Sequence, residues 1–357
     1  MRSSMSGNPK ENQPRTEINT LGEFGLIARL TRDVQTRNKS SMRGIGDDAA
    51  VVRYENGLST LISTDLLVEG IHFDLMYTPL QHLGYKSVVA NLSDIYAMNG
   101  KPEQVTFSLA VSNRFSVEAL EELYAGILHA CERYGVDLIG GDTTSSEKGL
   151  VISVTAMGSA QASDIVYRNT ARPGDTIFVS GDLGAAYVGL QMLEREKQIF
   201  LENPEVRPDL ENEKYTVGRQ LRPEARNDIP ELLEELKIRP SSMIDISDGL
   251  SSDTLHICKQ SGVGCRLLEE KFPIAGDTYG LALKFNLDPS TCALHGGEDY
   301  ELLFTTASAD AEKLRNHPLV SEIGQITKAG DGCKLVTKAG KVHDLQAQGW
   351  DGFRDGA

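Results

Sequence analysis

Asp47, Asp48, Asp65, Asp94, Asp142, Asp245 and Asp248 each stand at or near the end of a short apolar run, and they are the residues of this chain best suited to chemistry. The first two close Gly-Ile-Gly-Asp-Asp (44–48), just before Ala-Ala-Val-Val. Thr-Leu-Ile-Ser-Thr-Asp ends at Asp65, Val-Val-Ala-Asn-Leu-Ser-Asp at Asp94, and Val-Asp-Leu-Ile-Gly-Gly-Asp at Asp142. Met-Ile-Asp-Ile-Ser-Asp-Gly carries Asp245 and Asp248. Aspartate is a poor strand former and is costly to bury unpaired. Any one of these residues reads equally well as a turn or a helix cap. The joint pattern points to a site built for hard cations. Magnesium takes oxygen ligands, keeps several waters, and binds through a few carboxylates plus substrate phosphates. Asp48, Asp65, Asp94, Asp142 and Asp245 suit that role, and Ser63 and Thr64 can add hydroxyl or main-chain oxygens. Ser247, between Asp245 and Asp248, is placed to touch a phosphate.

Two diglycine turns, Gly140-Gly141-Asp142 and Gly296-Gly297-Glu298-Asp299, put an acid in a tight bend where the main chain can approach a ligand. A lone Gly-Gly pair is equally an ordinary turn. The chain has no Walker A sequence, no kinase-type His-Arg-Asp or Asp-Phe-Gly triplet and no Rossmann glycine fingerprint. A nucleotide would therefore be held through metals on a less familiar scaffold. Arg168, just before the Arg-Pro-Gly-Asp turn (172–175), can neutralise a phosphate or simply sit at the surface, and His72 can face a substrate or be structural. No Ser-His-Asp or Cys-His arrangement stands out, so a covalent intermediate is not indicated.

The elements that must carry these residues alternate in type. Short helices are expected over 22–30 and 82–98, the latter ending beside Asn91, Ser93 and Asp94. Leu120, Leu123, Tyr124, Ile127, Leu128 and Cys131 mark the clearest helix, with Ser116 as its N-cap and Gly135 as its stop. Further helices are expected at 183–193, 229–237 and 250–260. Strands are expected at 58–64, 105–111, 136–139, 151–157, 176–179, 243–246, 263–268 and 300–305. This mixture reads as an α/β or α+β pair of domains. The division is a tail over 1–18 with no foldable apolar core, a first domain over 19–160 and a second over 161–357. Residues 196–215, dense in charge and proline, read as a surface excursion or a loose helix.

The composition is that of a soluble globular protein, 40% hydrophobic and 24% charged, and the length of 357 residues suggests two domains. A net charge of -15 argues against nucleic acid or an anionic membrane as partner. Phosphorylated substrates remain open, because bound metals reverse the local sign. Five cysteines without a CxxC pair favour a reducing, cytoplasmic setting over disulfides or zinc. No apolar run is long enough to span a membrane.

Taken together, Gly-Glu-Phe (22–24), Gly-Ile-Gly-Asp-Asp (44–48), Ser-Thr-Asp (63–65) with His72-Phe73, Asn-Leu-Ser-Asp (91–94), Gly-Gly-Asp-Thr-Thr (140–144), Asp-Ile-Ser-Asp-Gly-Leu (245–250) and Gly-Gly-Glu-Asp-Tyr-Glu-Leu (296–302) resemble the thiamine-monophosphate kinase family. That family shares a superfamily with aminoimidazole ribonucleotide synthetase and selenophosphate synthetase. The resemblance runs from about Gly22 to Phe353. It implies ATP-dependent phosphorylation of thiamine phosphate to thiamine diphosphate, with several Mg²⁺ ions between the substrates. By position, it implies metal ligands at Asp48, Ser63, Thr64, Asp65, Asp94, Asp142, Asp245 and Asp248. ATP would meet Gly141, Asp142, Arg168 and Ser247, and thiamine phosphate would meet His72, Glu298 and Trp350. It also implies a homodimer paired through the N-terminal strands. The alternatives are another ATP-using synthetase of the superfamily and a non-catalytic nucleotide-binding scaffold. A selenophosphate synthetase is disfavoured because the first cysteine here is Cys131, and a hydrogenase-maturation relative because no cysteine tail ends the chain.

Overall fold

In the computed structural model, residues 20–53 and 57–348 are described. The expected tail over 1–18 and Trp350 lie outside them. The chain divides into two units, one contributing residues 20–35 and the other running from Thr36 to Gly349. The first holds α1 (Gly22–Thr31), where the short helix is expected.

Two seven-stranded mixed sheets make up the larger unit. The first comprises β1 (Ser41–Arg43), β2 (Ala50–Arg53), β3 (Leu58–Val68), β4 (Lys101–Val111), β5 (Asp137–Gly140), β6 (Thr143–Ser145) and β7 (Val151–Gln161). Its order is β1-β2-β3-β7-β4-β5, with β6 also paired to β4. Period-two patterning sets its faces. Leu61, Ser63 and Leu67 of β3 point inward with Val105, Phe107 and Leu109 of β4, whereas Leu58, Thr64 and Leu66 are exposed. The inner face is covered by α2 (Leu80–Ala97) and by α3 (Val117–Tyr134). α3 begins where Ser116 Oγ accepts the Ala119 N–H at 3.2 Å and ends at Gly135 in the left-handed region (φ 64°), as its sequence predicts.

The second sheet runs β14-β13-β10-β12-β8-β11-β9. Its strands are β8 (Thr176–Ser180), β9 (Ser242–Asp245), β10 (Gly264–Leu268), β11 (Leu302–Thr306), β12 (Val320–Thr327), β13 (Cys333–Val336) and β14 (Val342–Asp344). β8, β9 and β11 are buried on both faces, which explains the apolar runs Ile177–Val179, Met243-Ile244 and Leu302–Phe304 within them. Around them lie α4 (Ala185–Glu202), α5 (Lys214–Leu221), α6 (Asp228–Glu235), α7 (Leu250–Ser261), α8 (Gly276–Lys284), α9 (Pro289–His295) and α10 (Ser308–Leu314). The segment 196–215, expected as a surface excursion or a loose helix, is helix at both ends with an exposed stretch between. Its first seven residues complete α4 and its last two open α5, leaving a loop over 203–213. A single apolar cluster runs from Val51 and Leu61 through Leu92 and Ile95 of α2 to Phe178, Met243 and Phe304 of the second sheet. α2 thus lies between the sheets, and its last turn reaches the place where their acidic strand ends meet.

Candidate active site

Three elements distant in sequence deliver carboxylates to one place. Asp48 precedes β2, Asp94 lies in the last turn of α2, and Asp245 ends β9. Each contributes an oxygen within 4.8 Å of the other two. Asp48 and Asp245 are buried, at 8% and 3% exposure, while Asp94 is half-buried.

α2 organises this meeting through Asn91, Ser93 and Asp94 near its C-terminal end. Ser93 Oγ donates to Asp245 Oδ2 at 2.7 Å, and Asp94 Oδ2 accepts from Ser63 Oγ of β3. Asn91 Oδ1 accepts the Asp65 N–H at 3.1 Å while its amide donates to Ser87 O at 2.9 Å. Arg168 closes the other side. Its Nε donates to Asp48 Oδ2 at 2.9 Å, its other arm grips Asp48 Oδ1, and its main-chain N–H reaches Asp47 Oδ1 at 3.2 Å. The Arg168 carbonyl is itself held by Ser242 Oγ at 2.7 Å and Ser261 Oγ at 3.1 Å. Arg43 meets Asp47 at 3.0 Å.

The electrostatics follow from this crowding. Burial pushes the Asp94 carboxyl well above its ordinary range, and Asp65, Asp245 and Asp48 push it further. Burial, then Asp48, raises Asp245 to about 7, against the pull of Ser93 and Arg168. Asp47 rises to about 6 through burial and its neighbour Asp48. The carboxylates outnumber the guanidinium set against them. Hard oxygen donors that repel one another in a low-dielectric wall fit divalent cations.

The second diglycine turn forms the adjoining wall. Gly297 sits at φ 70°, and a Cβ there would lie 2.5 Å from the Ser247 carbonyl, so glycine is required for the turn to pack on the Asp245–Gly249 loop. Glu298 N–H donates to Ser247 O at 2.7 Å, and Tyr300 N–H donates to Ile246 O at 2.9 Å. The Glu298 carboxylate takes Lys86 Nζ at 2.8 Å and Gln220 Nε2 at 2.7 Å. Asp253 accepts the Asp248 and Gly249 N–H groups at 3.3 and 3.2 Å, fixing the start of α7. Ser247 itself is exposed at the loop's crest.

His72 stands beyond the end of β3, and its Nδ1 accepts the Val68 N–H at 3.0 Å, which leaves the proton on Nε2. Burial holds it below its ordinary range, with the Glu298 carboxylate opposing. Thr64 alternates to the other face of β3, where its hydroxyl donates to Val154 O at 3.0 Å, so a main-chain oxygen is what it has left to offer. Asp142 is exposed after β5, outside the three-carboxylate cluster. Its Oδ1 accepts the Thr143 N–H at 2.9 Å and its carbonyl accepts Leu109 N–H at 2.8 Å. Gly141 is pressed against β4, where a Cβ would fall 1.8 Å from Phe107 O. Lys86, Gln220, Asn91 and Ser93 escaped the sequence reading as site residues. The signals available were a lysine inside the apolar run 82–98, which only a buried partner justifies, and, for Asn91 and Ser93, their place in Asn-Leu-Ser-Asp.

Residues 46–160 match the family model for the N-terminal domain of AIR synthase related protein, and residues 172–334 match the model for its C-terminal domain. A thiamine-monophosphate kinase of Aquifex aeolicus is 36% identical over 338 residues, covering 94% of this chain and 99% of the relative. That of Bacillus subtilis is 32% identical over 341 residues, covering 94% and 100%. Among solved structures, "AaThiL complexed with AMPPCP and TMP" superposes with a TM-score of 0.79 at 34% identity, covering 94% of this chain and 99% of that one. The thiamine-monophosphate kinase of Stenotrophomonas maltophilia K279a gives a TM-score of 0.69 at 30% identity, covering 91% and 98%.

Proposed function

The chain belongs to the AIR synthase related family, among its thiamine-monophosphate kinases, and we propose that its acidic cluster is the phosphoryl-transfer site of such a kinase. The reaction is ATP-dependent phosphorylation of thiamine phosphate to thiamine diphosphate, with ADP released. The observation that carries the reading is the convergence of Asp48, Asp94 and Asp245 within 4.8 Å from three separate elements.

A phosphate oxygen of thiamine phosphate attacks the γ-phosphorus of ATP, the bond to the β,γ-bridging oxygen breaks, and that oxygen leaves on ADP. The attacking oxygen is already ionised near neutrality, so no side chain has to remove a proton. The difficulty is repulsion between two polyanions: like unit charges 4 Å apart oppose each other by about 4 kcal/mol at an effective dielectric near 20. Magnesium ions held by Asp48, Asp65, Asp94 and Asp245, with Ser63, Thr64, Asp142 and Asp248 as further oxygen donors, would offset that charge. The chain's own work is positional. Arg168 fixes Asp48 in a two-pronged grip, and Ser93 and Ser63 orient Asp245 and Asp94. Gly141, Asp142, Arg168 and Ser247 are assigned to ATP. His72, with its proton on Nε2, is assigned to thiamine phosphate together with Glu298, which Lys86 and Gln220 hold in place. Trp350 is assigned the thiamine ring from its position in the family resemblance, an aromatic face suiting a cationic thiazolium.

The reading carries a cytoplasmic homodimer with a domain division near residue 160. Leu58 and Leu66, exposed on the β3 face turned away from α2, suit pairing with a second copy. The deciding experiment incubates the protein with ATP, Mg²⁺ and thiamine phosphate and resolves products by chromatography. Thiamine diphosphate and ADP are expected in equal amounts. ATP turnover without thiamine diphosphate, or no turnover at all, would sink the assignment.

A further inference from the structure

Cys258, Cys265 and Cys333 bring their sulfurs within 4.8 Å of one another, in a part of the fold that the kinase reading does not use. Their placement follows from the sheet. Cys265 and Cys333 are direct partners in the parallel pairing of β10 with β13, so their side chains rise from the same face side by side. Cys258, on α7, comes down over that pair. A triangle of sulfurs results, walled by Leu267, Ile326 and Leu335. β12, β8 and β11 separate β10 from β9, which ends in Asp245. At a strand spacing of about 4.8 Å, that sets β10 roughly 19 Å from β9 across the sheet.

We propose that these three cysteines form a trigonal three-sulfur site for a soft monovalent cation of the Cu(I) class. Metal–sulfur bonds near 2.3 Å in a plane place sulfurs about 4 Å apart, within the span found here. Zinc in a closed structural site takes four ligands. Among the described residues no histidine, carboxylate or further cysteine joins these three at that range. Thiolate donors select soft ions, and the apolar wall offers nothing to the hydrated hard cations that suit the carboxylates. Access is built in. Cys258 and Cys265 are buried at 2% and 0% exposure, whereas Cys333 is half-buried and opens to solvent. Each thiol that binds the ion gives up its proton to solvent.

Buried cysteine otherwise behaves as a small hydrophobe. Cys131 and Cys292, each outside the sulfur cluster, supply that comparison within the same chain. The test is anaerobic titration of the reduced full chain with Cu(I) held by bicinchoninate. The wild type should withdraw a single equivalent and gain near-ultraviolet sulfur-to-copper absorption. Cys333→Ser, a change at a half-buried position that leaves the wall intact, should weaken retention by about tenfold or more. Cys292→Ser should leave it unchanged, and all three proteins should keep the same far-ultraviolet spectrum. Three results would overturn the proposal: no withdrawal from the chelator, withdrawal that Cys333→Ser does not weaken, or Zn²⁺ displacing Cu(I) from the protein. Because the readout is metal retention, its failure leaves the kinase assignment standing.

Discussion

Asp94 is where the repulsion within the site converges: Asp48, Asp65 and Asp245 all raise its proton affinity. Two consequences of opposite sign follow from one substitution. Asp94→Asn removes a cation ligand, so kcat should fall by at least about a hundredfold, near 3 kcal/mol of barrier. It also replaces a carboxyl whose ionisation burial and three neighbouring aspartates oppose, so the metal-free protein should melt higher than wild type. A near-normal kcat at saturating Mg²⁺, or a lower metal-free melting temperature, would contradict this. His256 on α7 behaves in the opposite way. Burial, helped by Arg168 and Lys259, lowers its pKa from 6.5 to about 4. Between those values the unfolded chain binds a proton that the folded one refuses, so stability rises with pH across the window and is lost as pH falls from 6.5 toward 4. The loss is on the order of 3 kcal/mol at most. His256→Gln should flatten that part of the denaturant-midpoint profile between pH 4 and 7; an unchanged slope would assign the acid sensitivity elsewhere. The aspartates were legible in the sequence because they interrupt apolar runs. Ser93, Gln220 and Lys86 were not, since their roles rest on partners that come from distant parts of the chain, Asp245 and Glu298.

At the scale of elements, α2 and α3 cross at a pair of glycines. A Cβ on Gly84 would lie 2.0 Å from the Leu123 carbonyl, and one on Gly126 would lie 1.8 Å from the Gln81 carbonyl. The two backbones therefore touch at both points, and this closeness lets α2 fill the space between the sheets. Intrinsic helix propensity favours alanine over glycine by about 1 kcal/mol. Main-chain overlap at the crossing predicts the reverse, so Gly84→Ala or Gly126→Ala should destabilise by about 2 kcal/mol or more. Urea unfolding decides, and a stabilised variant would mean that the crossing is looser than described. α3 was readable to its caps because it shows one apolar stripe. α2 was readable as a helix but not in its role: all but four of its residues are buried, so no single face announces its neighbours. The run β12–β14 and helices α8 and α9 were missed. β14 is short and exposed and β13 only half-buried, so periodicity had little to register there.

At the scale of the molecule, length suggests two domains. What the sequence could not reveal is that one apolar cluster draws on both halves. Phe178 and Phe304 stack at 5.7 Å in the second sheet, yet they belong to the cluster that contains Leu61, Val154 and Ile95 of the first half. Ile229, Leu232 and Leu233 of α6 join that cluster as well, so it draws on both sides of residue 160. Neither half can open without exposing apolar surface of the other, and burial of such surface is the main favourable contribution to folding. Thr36–Gly349 should therefore unfold as one cooperative unit. Scanning calorimetry of the metal-free, nucleotide-free protein should give a single endotherm whose calorimetric and van't Hoff enthalpies agree. The acidic site makes the result informative about function. Asp48 and Asp94 come from the first half and Asp245 from the second, so the site exists only while the halves are joined. Two resolved transitions would mean that the halves separate before they melt, and the carboxylate cluster would then be lost at the lower one.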